Sequence, residues 1–408
     1  MNIGVAILGL ALLVFIHEAG HFFVARAVGM RPRRFYVGFP PAIAKVRRNG
    51  IEYGLGAIPL GGYVKIPGMH RPAPSDLDAH MRRPLEEAPQ LAGPIERVKR
   101  TLGAGDFDGV AADVDALERC LASKPLTPAA AKAGTRGVRD LRDALGRDAY
   151  WRQSTWRKVA VILAGPAANI AAAIVLLVAL FVAGVPTGAE RFVEEVVPGT
   201  PAAQIGIHPG DEIFALNGRS VTAADIPRVI RASEGEPITV TVVRQGGSLA
   251  TLPAARPVRM DGAYRLGFAL APRYERFGPL AATRLAAEET VRVTEAIGVA
   301  LYDVVSGRDR NAVATPVGVV QGSSQALDVG LRHYLQILAL ISLSLALLNL
   351  LPLLPLDGGH IAFSLLEGVR GRAVGRAAYE RASVVGIMFV LFLFAVGLSN
   401  DITRLRGG

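Results

Sequence analysis

Four stretches of the chain are apolar at nearly every position: residues 3–25, 159–183, a third running inward from about Tyr334, and 383–398. A helix that is apolar all round has no wet face, so each stretch predicts a transmembrane helix. Between them the pattern changes. Residues 32–67 read as short strands, 33–38, 42–48, 52–58 and 63–66, separated by Pro40-Pro41, Asn49-Gly50 and Gly61-Gly62. Asn-Gly between two such runs is a strong hairpin signal. Residues 70–151 turn to Ala, Arg, Asp and Leu with helical periodicity over 106–121 and 127–145, which predicts a soluble helical insert. Residues 187–273 mix strands, among them 193–197 and 238–243, with two short helices. Residues 276–332 carry two amphipathic helices suited to bracing, the second opening at Thr315-Pro316.

The expected architecture is a polytopic α-helical membrane protein with four transmembrane helices, a membrane-associated β-hairpin sheet and a separate α+β domain. Its divisions are 1–27 (first span), 28–69 (membrane-associated or re-entrant β-structure), 70–151 (cytoplasmic insert), 152–184 (second span), 187–273 (α+β domain), 276–332 (bracing helices), 333–360 (third span) and 361–408 (a cytoplasmic turn and the fourth span). Pro352 and Pro355 break the third span near its end.

Composition agrees with a bilayer. Of 408 residues, 51% are hydrophobic and 20% charged. A net charge of +10 would point to nucleic acid in a soluble chain, yet no RNA-binding signature and no interleaving of aromatic and basic residues occurs, so no nucleic-acid partner is expected. The basic residues crowd instead beside the apolar stretches. Arg26, Arg31, Arg33, Arg34, Lys45, Arg47 and Arg48 follow the first, Arg152, Arg157 and Lys158 precede the second, and Arg370, Arg372, Arg376 and Arg381 follow the third. The positive-inside rule turns those ends toward the cytoplasm and leaves the N-terminus outside. Because its charges come after the apolar run, the first stretch is expected to be a retained span and not a signal peptide. A single cysteine, Cys120, excludes a disulfide framework and a multi-cysteine zinc cluster.

His17, Glu18 and His21 interrupt the first apolar stretch. Ionisable groups are costly in hydrocarbon and mark functional sites there. On a helix His17 and His21 share a face, the spacing with which two imidazoles hold one zinc ion, and Glu18 beside them is placed to take a proton from a metal-bound water. A catalytic zinc site needs a third protein ligand. Asp357, in Leu356-Asp357-Gly358-Gly359, falls at the same membrane face. Asn169 closes Gly165-Pro166-Ala167-Ala168-Asn169 near the start of the second stretch and needs a partner within the membrane. His208 and His333 read as core histidines. The segment Pro59-Leu60-Gly61-Gly62-Tyr63-Val64-Lys65 is either an edge that pairs with an extended peptide or a structural hairpin.

Residues 193–218, with Pro198-Gly199-Thr200-Pro201-Ala202, Gly210-Asp211-Glu212-Ile213 and Asn217-Gly218, resemble a bacterial PDZ domain, and Arg265-Leu266-Gly267-Phe268 resembles its loop for a peptide C-terminus. With this domain between spans two and three, HEAGH in the first span, GPAAN in the second and LPLDGG in the third resemble the site-2 protease family of intramembrane zinc metalloproteases, peptidase family M50, in its bacterial RseP-like arrangement. The resemblance covers residues 1–69 and 152 to about 400; the insert 70–151 is longer than that pattern. It implies Zn2+ held by His17, His21 and Asp357, with Glu18 as general base. Asn349 would contact the substrate backbone or the oxyanion, Asn169 would support the site, and Gly62 and Tyr63 would lie in the β-structure next to the substrate. His360 is not expected as a ligand. Leu266, Gly267 and Phe268 would capture a peptide C-terminus, unless the extracytoplasmic PDZ-like domain is a steric gate. The implied function is hydrolysis of a peptide bond in or near the transmembrane segment of a single-span membrane protein, after a first extracytoplasmic cut, as for an anti-sigma factor. The implied place is the bacterial cytoplasmic membrane, with the active site near its cytoplasmic face. Clearance of remnant signal peptides and a non-catalytic PDZ scaffold are the alternatives; a scaffold would have lost one of His17, Glu18, His21 or Asp357, and all are present.

Overall fold

In the computed structural model of the protein the described residues are 2–260, 262–308 and 315–407, without the side chains of Pro59, Leu60, Val305, Arg376 and residues 404–407. The expectations placed on the side chains of Pro59, Leu60 and Arg376 lie outside that set. The chain divides into two units, Met1–Leu177 with Ala287–Gly408, and Val178–Ala286.

The first unit opens with helix α1 (Asn2–Ala27). It ends where Gly29 takes a left-handed conformation, φ 90°, and the Met30 amide reaches back to the Ala25 carbonyl at 2.9 Å. Strands β1 (Arg34–Arg48) and β2 (Ile51–Lys65) follow as an antiparallel pair joined at Asn49-Gly50, both with positive φ. Four short strands were expected, and the register explains the difference. Both strands continue through shifts of register, so residues 34–37 pair with 52–55 on one side and with 62–65 on the other, while 44–48 pair with 51–55. The four expected segments are therefore present, joined into two long strands, with 62–65 at one edge. The Tyr36 hydroxyl donates to Glu52 at 2.7 Å, and this bond holds the Glu52 carboxyl below its ordinary range.

The insert is a bundle of helices α2 (Asp78–Glu87), α3 (Ala92–Gly103), α4 (Val110–Ala122) and α5 (Pro128–Leu145) around Leu77, Leu91, Val98, Leu117 and Val138, with Cys120 packed against them. It is fastened to the sheet by charge. Arg33 Nε lies 2.8 Å from Asp143 and its Nη1 2.9 Å from Asp148, and Lys65 Nζ lies 2.8 Å from Asp140. Helix α6 (Thr155–Ala183) comes next and continues past Leu177 into the second unit.

The second unit is a sheet in the order β10-β3-β4-β6-β7 with β5 on β4, built from β3 (Val185–Val196), β4 (Glu212–Leu216), β5 (Arg219–Ser220), β6 (Val240–Val243), β7 (Leu249–Thr251) and β10 (Phe268–Glu275). Helices α7 (Pro201–Gln204) and α8 (Asp225–Ala232) and the hairpin β8 (Val258–Met260)–β9 (Ala263–Arg265) complete it. Ile213, Leu216, Ile226, Ile238, Val240 and Leu266 form its core. His208 is exposed beside Arg244, not in that core; a polar tip at a loop finds water and a charged neighbour without desolvation.

Helix α9 (Pro279–Ser306) returns to the first unit, followed by α10 (Pro316–Val329), α11 (Leu331–Asn349), α12 (Asp357–Arg370) and α13 (Arg376–Gly407). His333, on α11, is also exposed. Where a turn was expected from residue 361, the chain stays helical to Arg370 and the connection is confined to residues 371–375. Gly358 and Gly359 make this possible, because a Cβ at either would overlap backbone atoms of residues 350–354, and bare backbone lets the first turn of α12 press onto that segment. Four helical segments, Asn2–Ala27, Thr155–Ala183, Leu331–Asn349 and Ala377–Thr403, are long and apolar enough to cross a membrane.

Candidate metal centre

Helix α1 carries His17 and His21 one turn apart on a buried face, their rings edge to face with centroids 4.8 Å apart. Each ring is oriented from its far side. His21 Nδ1 lies 2.8 Å from the carbonyl oxygen of Val161 on α6. A carbonyl only accepts, so Nδ1 carries the hydrogen and Nε2 of the neutral ring presents a lone pair. His17 Nδ1 lies 3.4 Å from the side-chain amide of Asn169, which is fully buried. Asp357, the first residue of α12, brings Oδ2 to 3.2 Å from His17 Nε2 and 3.3 Å from His21 Nε2, while the two Nε2 atoms are 3.2 Å apart.

This triangle fits a cation. Zinc bonds of about 2.0–2.1 Å in a tetrahedron set neighbouring ligand atoms roughly 3.3–3.4 Å apart, close to all three edges. Asp357 Oδ2 is buried with no hydrogen-bond partner among the described residues, and two imidazole lone pairs turned on a carboxylate oxygen repel unless positive charge lies among them. Two imidazoles and one carboxylate are also the donor set with which catalytic zinc keeps a fourth position open. Among the described residues this is the group of His, Cys, Asp and Glu placed to hold a metal.

Close helix approach makes the triangle possible. A Cβ at Gly165 of α6 would overlap the His21 ring, and one at Gly20 of α1 would overlap the Ala164 carbonyl. Asn169 is held in turn by Ser342 of α11, whose hydroxyl donates to the Asn169 carbonyl at 2.8 Å. Its side-chain Oδ1 has no partner among the described residues. Turning the amide by a half-turn, a choice that heavy-atom positions leave open, lets Oδ1 accept the His17 Nδ1 hydrogen and leaves Nε2 free for metal. Partners of this kind typically carry 10–100-fold in metal affinity. Asn169→Ala is therefore expected to weaken zinc binding by about that factor, read by competition with a chelator of known affinity; unchanged affinity would deny Asn169 this role.

Glu18, 9% exposed, faces the edge strand: a Cβ at Gly62 would fall 2.8 Å from its Cγ, and its carboxylate neighbours the Val64 backbone amide. Tyr63 turns to the sheet and stacks on Tyr36 with centroids 5.1 Å apart. On its outer side residues 62–65 pair with no strand among the described residues. The structure brings His17, Glu18, His21, Asp357, Asn169 and Gly62 to one place, and Asn349 and His360 lie outside the triangle. Asn349 ends α11 with its amide donating to its own helix at Leu345, 3.0 Å. His360 Nδ1 lies 2.6 Å from the Tyr379 hydroxyl. In the second unit Leu266 is buried in the core, and Gly267, φ 92°, leaves no room for a side chain against Thr200. The carbonyls of Leu266 and Gly267 accept from Ala202 and Val197 at 2.8 and 2.9 Å, which holds the loop. Phe268 and Leu270 of the edge strand β10 face Ile226 and Ile230 of α8 across a cleft of about 430 Å³. Sequence reasoning passed over Ser342 and the Val161 carbonyl. A serine in an apolar span is a signal that could have been used; a backbone carbonyl leaves none.

The chain matches the family described as Peptidase family M50 over residues 5–393. It is 32% identical to a candidate zinc metalloprotease of Agrobacterium fabrum, over 98% of this chain and 95% of the relative. It is 26% identical to the regulator of sigma-W protease RasP of Bacillus subtilis and 26% to the zinc metalloprotease RasP of Bacillus licheniformis, each over 96% of both chains.

Proposed function

Since the chain belongs to peptidase family M50 and is a zinc metalloprotease with several membrane-spanning helices, we propose that it hydrolyses a peptide bond in or beside the transmembrane segment of a single-span membrane protein whose outer domain has already been removed. The observation that carries this reading is the buried triangle of His17 Nε2, His21 Nε2 and Asp357 Oδ2 with Glu18 next to it and an open strand edge alongside.

His17, His21 and Asp357 are the residues that would hold zinc, and Asn169 and the Val161 carbonyl fix the two rings. Zinc bound there supplies Lewis acidity that brings the pKa of water down toward neutrality. Glu18 takes the proton from the attacking water and delivers it to the leaving amine, so that water and the peptide bond become a carboxylate and an amine. A helical substrate hides its carbonyls in its own hydrogen bonds and has to unwind first. The edge at Gly62–Lys65 offers the unwound stretch backbone partners next to Glu18. Asn349, at the end of α11, would reach the substrate backbone or the oxyanion once its amide leaves Leu345.

Residues 187–273 are the PDZ-like gate in this reading, placed outside the cell with the N-terminus, while the active site lies near the cytoplasmic face of the bacterial cytoplasmic membrane. Its cleft beside β10, lined by Phe268, Leu270, Ile226 and Ile230, has the form that receives a peptide end as an added strand, with Leu266 and Gly267 shaping its mouth. The Bacillus subtilis relative is named for regulation of sigma-W, which makes an anti-sigma factor the substrate class to test. In co-reconstitution, a tagged single-span protein lacking its outer domain is expected to be cut at least about tenfold faster than the intact form, the size of a coupling free energy of a kcal/mol or two. Equal rates for both forms would remove the gate from the mechanism.

A further inference from the structure

A cleft of about 960 Å³ lies between the sheet of β1 and β2 and helix α5, and proteolysis has no use for its chemistry. Part of its wall is charge-neutral through the Arg33 pairs with Asp143 and Asp148 and the Lys65 pair with Asp140. Six exposed arginines also line it, Arg26, Arg31, Arg47, Arg139, Arg147 and Arg157, and none of them has a carboxylate within ion-pair distance among the described residues. A rule that merely places basic residues beside membrane spans does not ask them to converge. These six come from the end of α1, the loop after it, β1, α5, the loop after α5 and the first turn of α6, and they meet around one cavity.

The level of the cleft identifies the anion. Helix α1 stops at Ala27 and α6 starts at Thr155, and both are of membrane-crossing length, so residues 26–31 and 157 stand where hydrocarbon gives way to headgroups. We propose that this cleft binds the phosphodiester headgroup of an anionic phospholipid. Guanidinium groups match phosphate oxygens with paired hydrogen bonds and give up their water readily, and basic pockets beside transmembrane helices are where such headgroups settle. The bound lipid bridges the insert, through Arg139 and Arg147, to the sheet, through Arg47. The proposal rests on the spans being membrane helices and not on the proteolytic assignment.

The test is lipid retention by the full-length protein in phosphatidylcholine nanodiscs doped with phosphatidylglycerol, with the lipids carried through detergent extraction counted by native mass spectrometry. Wild type is expected to retain phosphatidylglycerol in preference to phosphatidylcholine. Arg139→Gln with Arg147→Gln is expected to lose about twenty-five-fold of that preference, about fivefold per arginine. Arg142→Gln, also on α5 but paired with Asp115 and Glu118, keeps it, and so does Glu18→Gln, which separates lipid binding from catalysis. Equal retention by the double variant overturns the proposal. So does inorganic phosphate that binds the arginines as tightly as the lipid does, or an acidic peptide that binds them in nanodiscs of phosphatidylcholine alone.

Discussion

Glu18→Gln protein is expected to cut its substrate about 10²–10⁴-fold more slowly than wild type, the usual contribution of a positioned general base, and to keep its zinc. The substitution conserves shape. It replaces a carboxylate that can accept a proton by an amide that cannot, at a buried position beside the metal triangle and facing the edge strand. Cleavage of a tagged single-span protein and zinc content, measured on the same preparations, separate the possibilities. A rate equal to wild type would end the assignment of Glu18 as base. A fall in zinc parallel to the fall in rate would move Glu18 into the set of groups that hold the metal.

The second large effect is expected at Asp357. Asp357→Ala removes one corner of the triangle and leaves two imidazole lone pairs facing each other 3.2 Å apart. Loss of an outer partner such as Asn169 costs about 10–100-fold in metal affinity, and loss of a direct ligand is expected to cost more. Zinc occupancy after dialysis should fall to background and proteolysis with it. Stripping wild type with a chelator should abolish cleavage reversibly, with activity returning when zinc is restored; Asp357→Ala should not respond to the same addition. Full occupancy in the variant would show that the third ligand lies elsewhere.

These two residues were not equally readable from the chain. His17, Glu18 and His21 declare themselves by spacing and by the anomaly of charge in an apolar helix. Asp357 stands far away, and residue patterns alone placed it only at the same membrane face; its role came from the resemblance of its LPLDGG surroundings. The strand segments of residues 33–66 were legible, but their joining was not, because Pro40-Pro41 and Gly61-Gly62 read as breaks, whereas the extended backbone runs on through both as β1 and β2 with shifts of register. The Asp357-Gly358-Gly359 segment reads as the end of the third span. It begins α12 because a close approach of backbone to backbone, which no periodicity reports, needs both glycines. The insert helices were visible as amphipathic runs, while the three aspartates that fasten them to the sheet looked like ordinary solvated charge.

The distance in sequence between the parts of the triangle has a consequence for how the enzyme comes into being. Its two imidazoles enter the membrane with the first helix, and its carboxylate follows more than three hundred residues later. At a synthesis rate of about 5–20 residues per second, the growing chain spends tens of seconds carrying an incomplete donor set among other newly inserted helices. With His17, His21 and Asp357 as the proposed ligands, all three corners come together only when α12 has docked, so the proposed site would stay incomplete until the last helices of the chain are in place.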